Sequence, residues 1–145
     1  MKIAACLSSK SEEWSTPQYI FDELNAELNF NLDPCATDDN HKCLAYFTKE
    51  DDGLSKSWGG CRVFMNPPYG RQIGKWVRKA WEESKKPGTM VVCLLPARTD
   101  TKWFHEYCLR GEIKFIRGRL RFGGSKWNAP FPSMIVVFKQ SEDRE

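Results

Sequence analysis

The chain has 145 residues, a formal net charge of +3, 41% hydrophobic and 28% charged residues. A chain of that length is most simply one domain that buries roughly two thirds of its unfolded surface, so its core needs no disulfide or metal staple. The absence of a long apolar stretch excludes a membrane-spanning helix, and the brief apolar run in MKIAACLSSK falls short of a secretion signal.

A cytoplasmic protein follows from that reading. The six cysteines include no Cys-x-x-Cys pair, and His41-x-Cys43 with Cys35 lacks a fourth ligand, so no metal site is expected. They read as small core residues in a reducing compartment. Aromatic residues make up 13% of the chain, with six Trp, enough for some rings to serve a site.

Residues 1–13 read as a polar leader, 14–139 as the domain and 140–145 as a frayed tail. Thr16 or Ser15 is placed to cap a helix that Pro17 starts, and Ile20, Phe21, Leu24 and Leu28 recur on one face of it. Phe30 to Asp33 alternates as a short strand and stops at Pro34. Leu44 to Thr48 reads as another, and Asp51-Asp52-Gly53-Leu54 as a turn.

Arg62 to Met65 is a buried strand that Pro67 and Pro68 forbid to continue, since each fixes φ and lacks an N–H. Ile73, Trp76, Val77 and Ala80 then mark a helical face, with Lys75, Arg78, Lys79, Glu82 and Glu83 outward, up to Pro87-Gly88. Met90 to Leu95 is the most apolar run, a central strand buried on both faces and ended by Pro96. Thr99-Asp100 caps a further helix with Trp103, Phe104, Tyr107 and Cys108 inside. Glu112 to Ile116 and Ser133 to Phe138 are the last strands, joined by a basic, glycine-containing loop. Strands joined through helices are expected to be parallel, and the last two, with no helix between them, antiparallel neighbours. The fold class is α/β, a mostly parallel sheet with an antiparallel C-terminal strand.

In open α/β sheets ligands bind at the carboxyl ends of strands. Asp33-Pro34, Asn66-Pro67-Pro68 and Leu95-Pro96 are three such ends, and a parallel sheet puts them on one rim. The segment Asn66-Pro67-Pro68-Tyr69 suits a planar ring that bears an amino group. The Asn66 oxygen and the Pro67 carbonyl can accept the two N–H bonds of the amine, and Tyr69 can stack on the ring. Phe122 or Trp127 is a candidate for a second ring. Arg110, Lys114, Arg117, Arg119, Arg121 and Lys126 stand against one acid, Glu112, which makes the region either a site for a polyanion or a solvated basic face; charge alone favours neither.

Asn66-Pro67-Pro68-Tyr69 resembles the catalytic motif of amino-methyltransferases that act on adenine in DNA. Trp14, Thr16-Pro17, Leu32 to Ala36, Asn40, Asp52-Gly53-Leu54, Leu95 to Thr101, Trp103-Phe104-His105, Gly118-Arg119-Leu120 and Ala129 to Ser133 extend the likeness in order over about residues 14–138. Together they are similar to the small phage-type DNA N6-adenine methyltransferases, a family of phage or prophage origin working in a bacterial cell. The resemblance implies a single-domain Rossmann-like methyltransferase fold and S-adenosylmethionine as cofactor. It also implies methyl transfer to the N6 amine of a flipped adenine in double-stranded DNA.

By that resemblance Asn66, Pro67, Pro68 and Tyr69 are catalytic. Asp33-Pro34 with Cys35 and Ala36 is the cofactor-binding strand end. Thr16-Pro17 closes over the methionine part, Asp52 meets the adenine ring, and Asn66 borders the cofactor as well as the acceptor. Arg98, Arg119, Arg121 and Lys126 are expected to contact DNA. One departure stands out: the loop after Asp33 has no glycine and no clear acidic partner for the ribose, for which Asp38 and Asp39 are candidates. The residues leave two alternatives open. The acceptor is then the amine of cytosine or a base in RNA, or the domain binds single-stranded nucleic acid without catalysis. Monomer and dimer are equally open, and no membrane partner is expected.

Overall fold

A computed structural model of the chain describes residues 14–140. The leader, Cys6 and the end of the tail lie outside the described residues. Helix α1 spans Gln18–Leu28 and buries Ile20 and Phe21, with Leu24 and Leu28 half-buried against the core. Its N-cap is Pro17, and no side chain caps it. This corrects the expected Thr16 or Ser15 cap: the Thr16 hydroxyl is turned away to Asn66 instead. Asn29 ends the helix in the left-handed region at φ 52°.

The sheet has four strands in the order β1-β2-β4-β3: β1 Arg62–Met65, β2 Met90–Pro96, β3 Glu112–Phe115 and β4 Ser133–Lys139. β1 and β2 are parallel, whereas β4 lies antiparallel to both β2 and β3. Three strands thus run one way and the C-terminal strand runs against them, as expected. Because β4 is inserted between β2 and β3, two of the three ladders are antiparallel, and the sheet is mixed. The last two strands are antiparallel neighbours, as their missing helix implies.

The segments expected as strands at 30–34 and 44–48 shrink to isolated parallel bridges, Leu32 with Val63 and Asp33 with Tyr46. Pro34 is the reason, since without an N–H it cannot extend the ladder. The bridges still carry backbone bonds, Phe64 N–H to the Leu32 carbonyl at 3.0 Å and Phe47 N–H to the Asp33 carbonyl at 3.0 Å. They extend the parallel side of the sheet past β1.

β2 is central and buried from Val91 to Pro96. Each fully buried Val or Leu there contributes about 1.5–3 kcal/mol over an exposed one. Helix α2, Ile73–Glu83, buries Ile73, Trp76, Val77 and Ala80. Glu83, expected outward, is buried too. It accepts from Trp58 N–H at 2.6 Å and from Lys86 and Lys79 at 2.9 and 3.0 Å. Helix α3, Lys102–Glu106, is capped by Thr101 rather than by Thr99 or Asp100. The Thr101 backbone is extended, and its hydroxyl accepts from Phe104 N–H at 3.3 Å. No helix among the described residues is long and apolar enough to cross a membrane.

Candidate active site

Register fixes where the strand ends lie. Leu32 bridges Val63, Met65 pairs with Cys93 and Pro96 pairs with Ser133. The ends at Asp33, Met65 and Pro96 therefore share one edge of the sheet. A cavity of about 300 Å³ opens there, at the lower end of the usual size for a small-molecule site. Its wall includes Thr16, Asp33, Pro34, Cys35, Ala36, Asp52, Asn66, Pro67 and Pro68. It thus joins the two proline-broken turns that the sequence reading placed on one rim.

Asn66 is the most informative side chain in the wall. Its Nδ2 donates to the Trp14 carbonyl and to Thr16 Oγ1, the latter at 2.9 Å. A carbonyl can only accept, which fixes the amide with nitrogen toward Trp14. The Oδ1 atom is buried and has no partner among the described residues. Leaving a buried acceptor unpaired costs about 1–3 kcal/mol, so a fold that keeps one has a use for it. The Pro67 carbonyl accepts from none of the described residues. Two acceptors on adjacent residues thus stand ready at the end of β1.

The glycine-free loop after Asp33 is stiffened by side chains. The buried Asp33 carboxylate accepts from Cys35 N–H at 3.3 Å and Lys42 N–H at 2.9 Å. Burial pushes its pKa above the ordinary value, and the two N–H bonds pull it back only in part. Thr37 and Asn40 exchange bonds of 2.7 and 3.1 Å across the next turn. The close backbone approach that a glycine usually allows occurs at Gly53, on another loop. A Cβ at Gly53 would sit 2.4 Å from the Pro34 carbonyl oxygen and 3.1 Å from the Trp76 ring. Next to it, Asp52 adopts the left-handed region at φ 59° and presents a carboxylate that bonds to none of the described residues.

Other expected residues lie elsewhere. Pro17 is buried outside the cavity wall, where its carbonyl accepts from Ile20 and Phe21 N–H. Asp38 and Asp39 are exposed and do not line the cavity, and Asp38 accepts from the Tyr46 hydroxyl at 2.7 Å. Tyr69 is only 6% exposed and donates to the Leu94 carbonyl at 3.2 Å. Its ring packs edge-on with Phe131 at 5.5 Å and Phe122 at 6.3 Å, so it offers a base no open face in this arrangement. Burial raises its pKa far above the ordinary phenol value. Phe122 is buried as well, at 1% exposure, whereas Trp127 is 76% exposed. Arg98, Arg119, Arg121 and Lys126 are exposed, and none has an ion-pair partner among the described residues.

Sequence reasoning did not assign Trp14, Thr37, Lys42, Lys49, Gln72 or Trp76 to the site, although all line the cavity. Trp76 carried only the helical spacing of a core residue, which it also is. Lys49 and Gln72 carried no local signal at all.

An α/β protein with a ligand cavity at the carboxyl edge of its sheet, walled by an amide with a free acceptor, defines a class that handles small organic ligands at strand ends. Comparison with known proteins narrows it. The family model for DNA N-6-adenine-methyltransferase (Dam) matches residues 4–144, and the chain belongs to that family. It is 32% identical over 141 residues to the DNA N-6-adenine-methyltransferase of Haemophilus phage HP1, covering 90% of this chain and 80% of that one. It is also 34% identical over 95 residues to the DNA N-6-adenine-methyltransferase of Escherichia phage T1, covering 64% of this chain and 39% of that longer one. Membership carries the reaction: the chain is an adenine-specific DNA methyltransferase.

Proposed function

We propose that the Asn66 Oδ1 and the Pro67 carbonyl receive the N6 amine of an adenine flipped out of double-stranded DNA. The cavity wall at Asp33, Pro34, Cys35, Ala36 and Asp52 holds S-adenosylmethionine beside it. The observation that carries this reading is the buried Asn66 Oδ1, unpaired among the described residues, on a side chain that lines a cavity also touching the Asp33 strand end. An adenine amine has two N–H donors, and two fixed acceptors match them.

The residues present fit the cofactor. The wall offers an apolar, aromatic side at Phe64 and Trp76 and polar groups at Asp33, Asp52, Thr37 and Asn40. Gly53 lets the Asp52 loop close on Pro34. When bound, S-adenosylmethionine supplies an electrophilic methyl group on its sulfonium. The chain does the rest by position. Accepting both N–H bonds favours a more tetrahedral nitrogen, whose lone pair is less delocalised into the ring and better aimed. Pro67 and Pro68 hold the two acceptors rigid. Thr16 and Trp14 close over the site and keep the Asn66 amide from rotating. Stacking of the base on Tyr69 requires Phe122 or Phe131 to draw back from that ring. Arg98, Arg119, Arg121 and Lys126 supply contacts to phosphate. A reversed β4 between β2 and β3, with Leu32 and Tyr46 continuing the parallel side, supports a Rossmann-like methyltransferase fold.

The test is nucleoside mass spectrometry of DNA from cells that express the chain. Wild type yields N6-methyladenine, and Asn66→Ala yields none while it melts cooperatively and still binds S-adenosylmethionine by calorimetry. Undiminished methyladenine from the folded variant would remove Asn66 from the mechanism.

A further inference from the structure

The loop from Ile116 to Pro132 leaves the sheet at Phe115, which pairs with Met134, and returns at Ser133, which pairs with Pro96. Both of its ends therefore lie on the Asn66 edge of the sheet. Its base is pinned. Ala129 N–H donates to the Leu120 carbonyl at 2.7 Å, and Gly123 N–H donates to the Ser15 carbonyl at 2.8 Å. Phe122 is buried edge-on against Trp14 at 5.5 Å. Past these anchors the loop exposes Trp127, with 76% of the residue in water. Its backbone is held by Ser125, whose Oγ accepts from Trp127 N–H at 3.2 Å and donates to the Trp127 carbonyl at 2.9 Å.

A large ring in water on a pinned loop forgoes burial worth about 2–3 kcal/mol. Around it in the same loop stand Arg119, Arg121 and Lys126, exposed and without ion pairs among the described residues. A free aromatic ring among free cations is the chemistry of a nucleic-acid contact, in which cations meet phosphate and the ring meets bases.

We infer that Trp127 is a wedge that enters double-stranded DNA and fills the place of the adenine as it leaves the stack. This rests on the acceptor reading of Asn66. Inserted aromatic and apolar side chains unstack base steps at a cost of a few kcal/mol, and stacking of the ring on the neighbouring bases returns part of it. The anchors connect wedge and acceptor. Phe122 and Gly123 hold the loop to Trp14 and Ser15, and the Trp14 carbonyl is one of the two groups that orient the Asn66 amide. The loop that carries the ring is thereby pinned to the segment that orients Asn66.

The experiment uses a duplex whose methylated adenine has first been located by sequencing DNA from cells that express the wild-type chain. Methyl transfer is then measured with that adenine paired and with it opposite an abasic site, where unpairing costs least. Trp127→Ala is expected to lower kcat/KM on the paired duplex by at least about tenfold, with wild-type rates largely restored on the abasic one. Emission supplies a second readout. The difference between wild type and Trp127→Phe isolates this ring among six Trp, and duplex DNA is expected to quench it. Equal loss on both substrates, no loss on either, or an unquenched ring overturns the wedge. Undiminished methyladenine from folded Asn66→Ala instead brings down the acceptor reading, and the wedge falls with it.

Discussion

Asn66 has two amide donors and one acceptor to place, and the fold places only the donors. Trp14 and Thr16 take them, and Oδ1 is left buried without a partner among the described residues. Thr16 thus holds the Asn66 amide rather than capping the helix as its spacing suggested. Thr16→Val keeps the shape and removes one acceptor, so the amide is freer to rotate. We expect kcat to fall about tenfold, equivalent to the loss of one hydrogen bond of about 1.4 kcal/mol, with S-adenosylmethionine affinity within about twofold of wild type. Steady-state kinetics and calorimetry separate the two. An unchanged kcat would mean that Trp14 alone orients Asn66.

At the scale of elements, α2 is tied to the turn before β1 by one buried carboxylate. Burial alone would raise the pKa of Glu83, but the Trp58 N–H, Lys86 and Lys79 outweigh it and hold the group below its ordinary value of 4.5. A lowered carboxylate pKa stabilises the fold above the unfolded-state value, and that contribution is lost as pH falls through the folded-state value. The melting temperature is therefore expected to drop as pH goes below about 4.5. Glu83→Gln costs about 1–3 kcal/mol at pH 7, where Lys79 and Lys86 lose their partner charge. The gap between the two proteins narrows in acid, which thermal melts across pH 3–7 read directly. A gap that does not change with pH would make Glu83 a packing contact only. Helical spacing put Glu83 with the outward charges, and it turned inward because the buried backbone N–H of Trp58 needs an acceptor.

Across the whole molecule the strand directions bring separate stretches to one edge: the Asp33 end, the Asn66 turn, Pro96 and the loop between β3 and β4. Cations on that loop face a phosphate backbone if the edge meets DNA. Replacing Arg119, Arg121 and Lys126 by Gln is expected to flatten the slope of log affinity against log salt by up to about 0.9 for each cation removed. Fluorescence titrations of a duplex at several salt concentrations measure it. An unchanged slope would assign the three to solvated surface.

Local chemistry alone determined much of this protein. Proline breaks after Asp33 and Asn66 mark strand ends because a proline has no N–H with which to extend a ladder, and the apolar run Met90 to Leu95, which β2 carries one residue further to Pro96, has to be central. The proline turn at Asn66 and the exposed basic loop were legible for the same reason: their chemistry lies in consecutive residues. Only the tertiary structure decided what depends on distant partners. Thr16 gave up its cap to Asn66, 50 residues away. Gly53 made the close approach sought in the loop after Asp33, because its neighbour Pro34 is reached through space. Tyr69 went under the turn, against Phe122 and Phe131, while Trp127 stayed out in water. Which ring is covered depends on how a loop is pinned, and the anchor at Ser15 lies far from either ring in the chain.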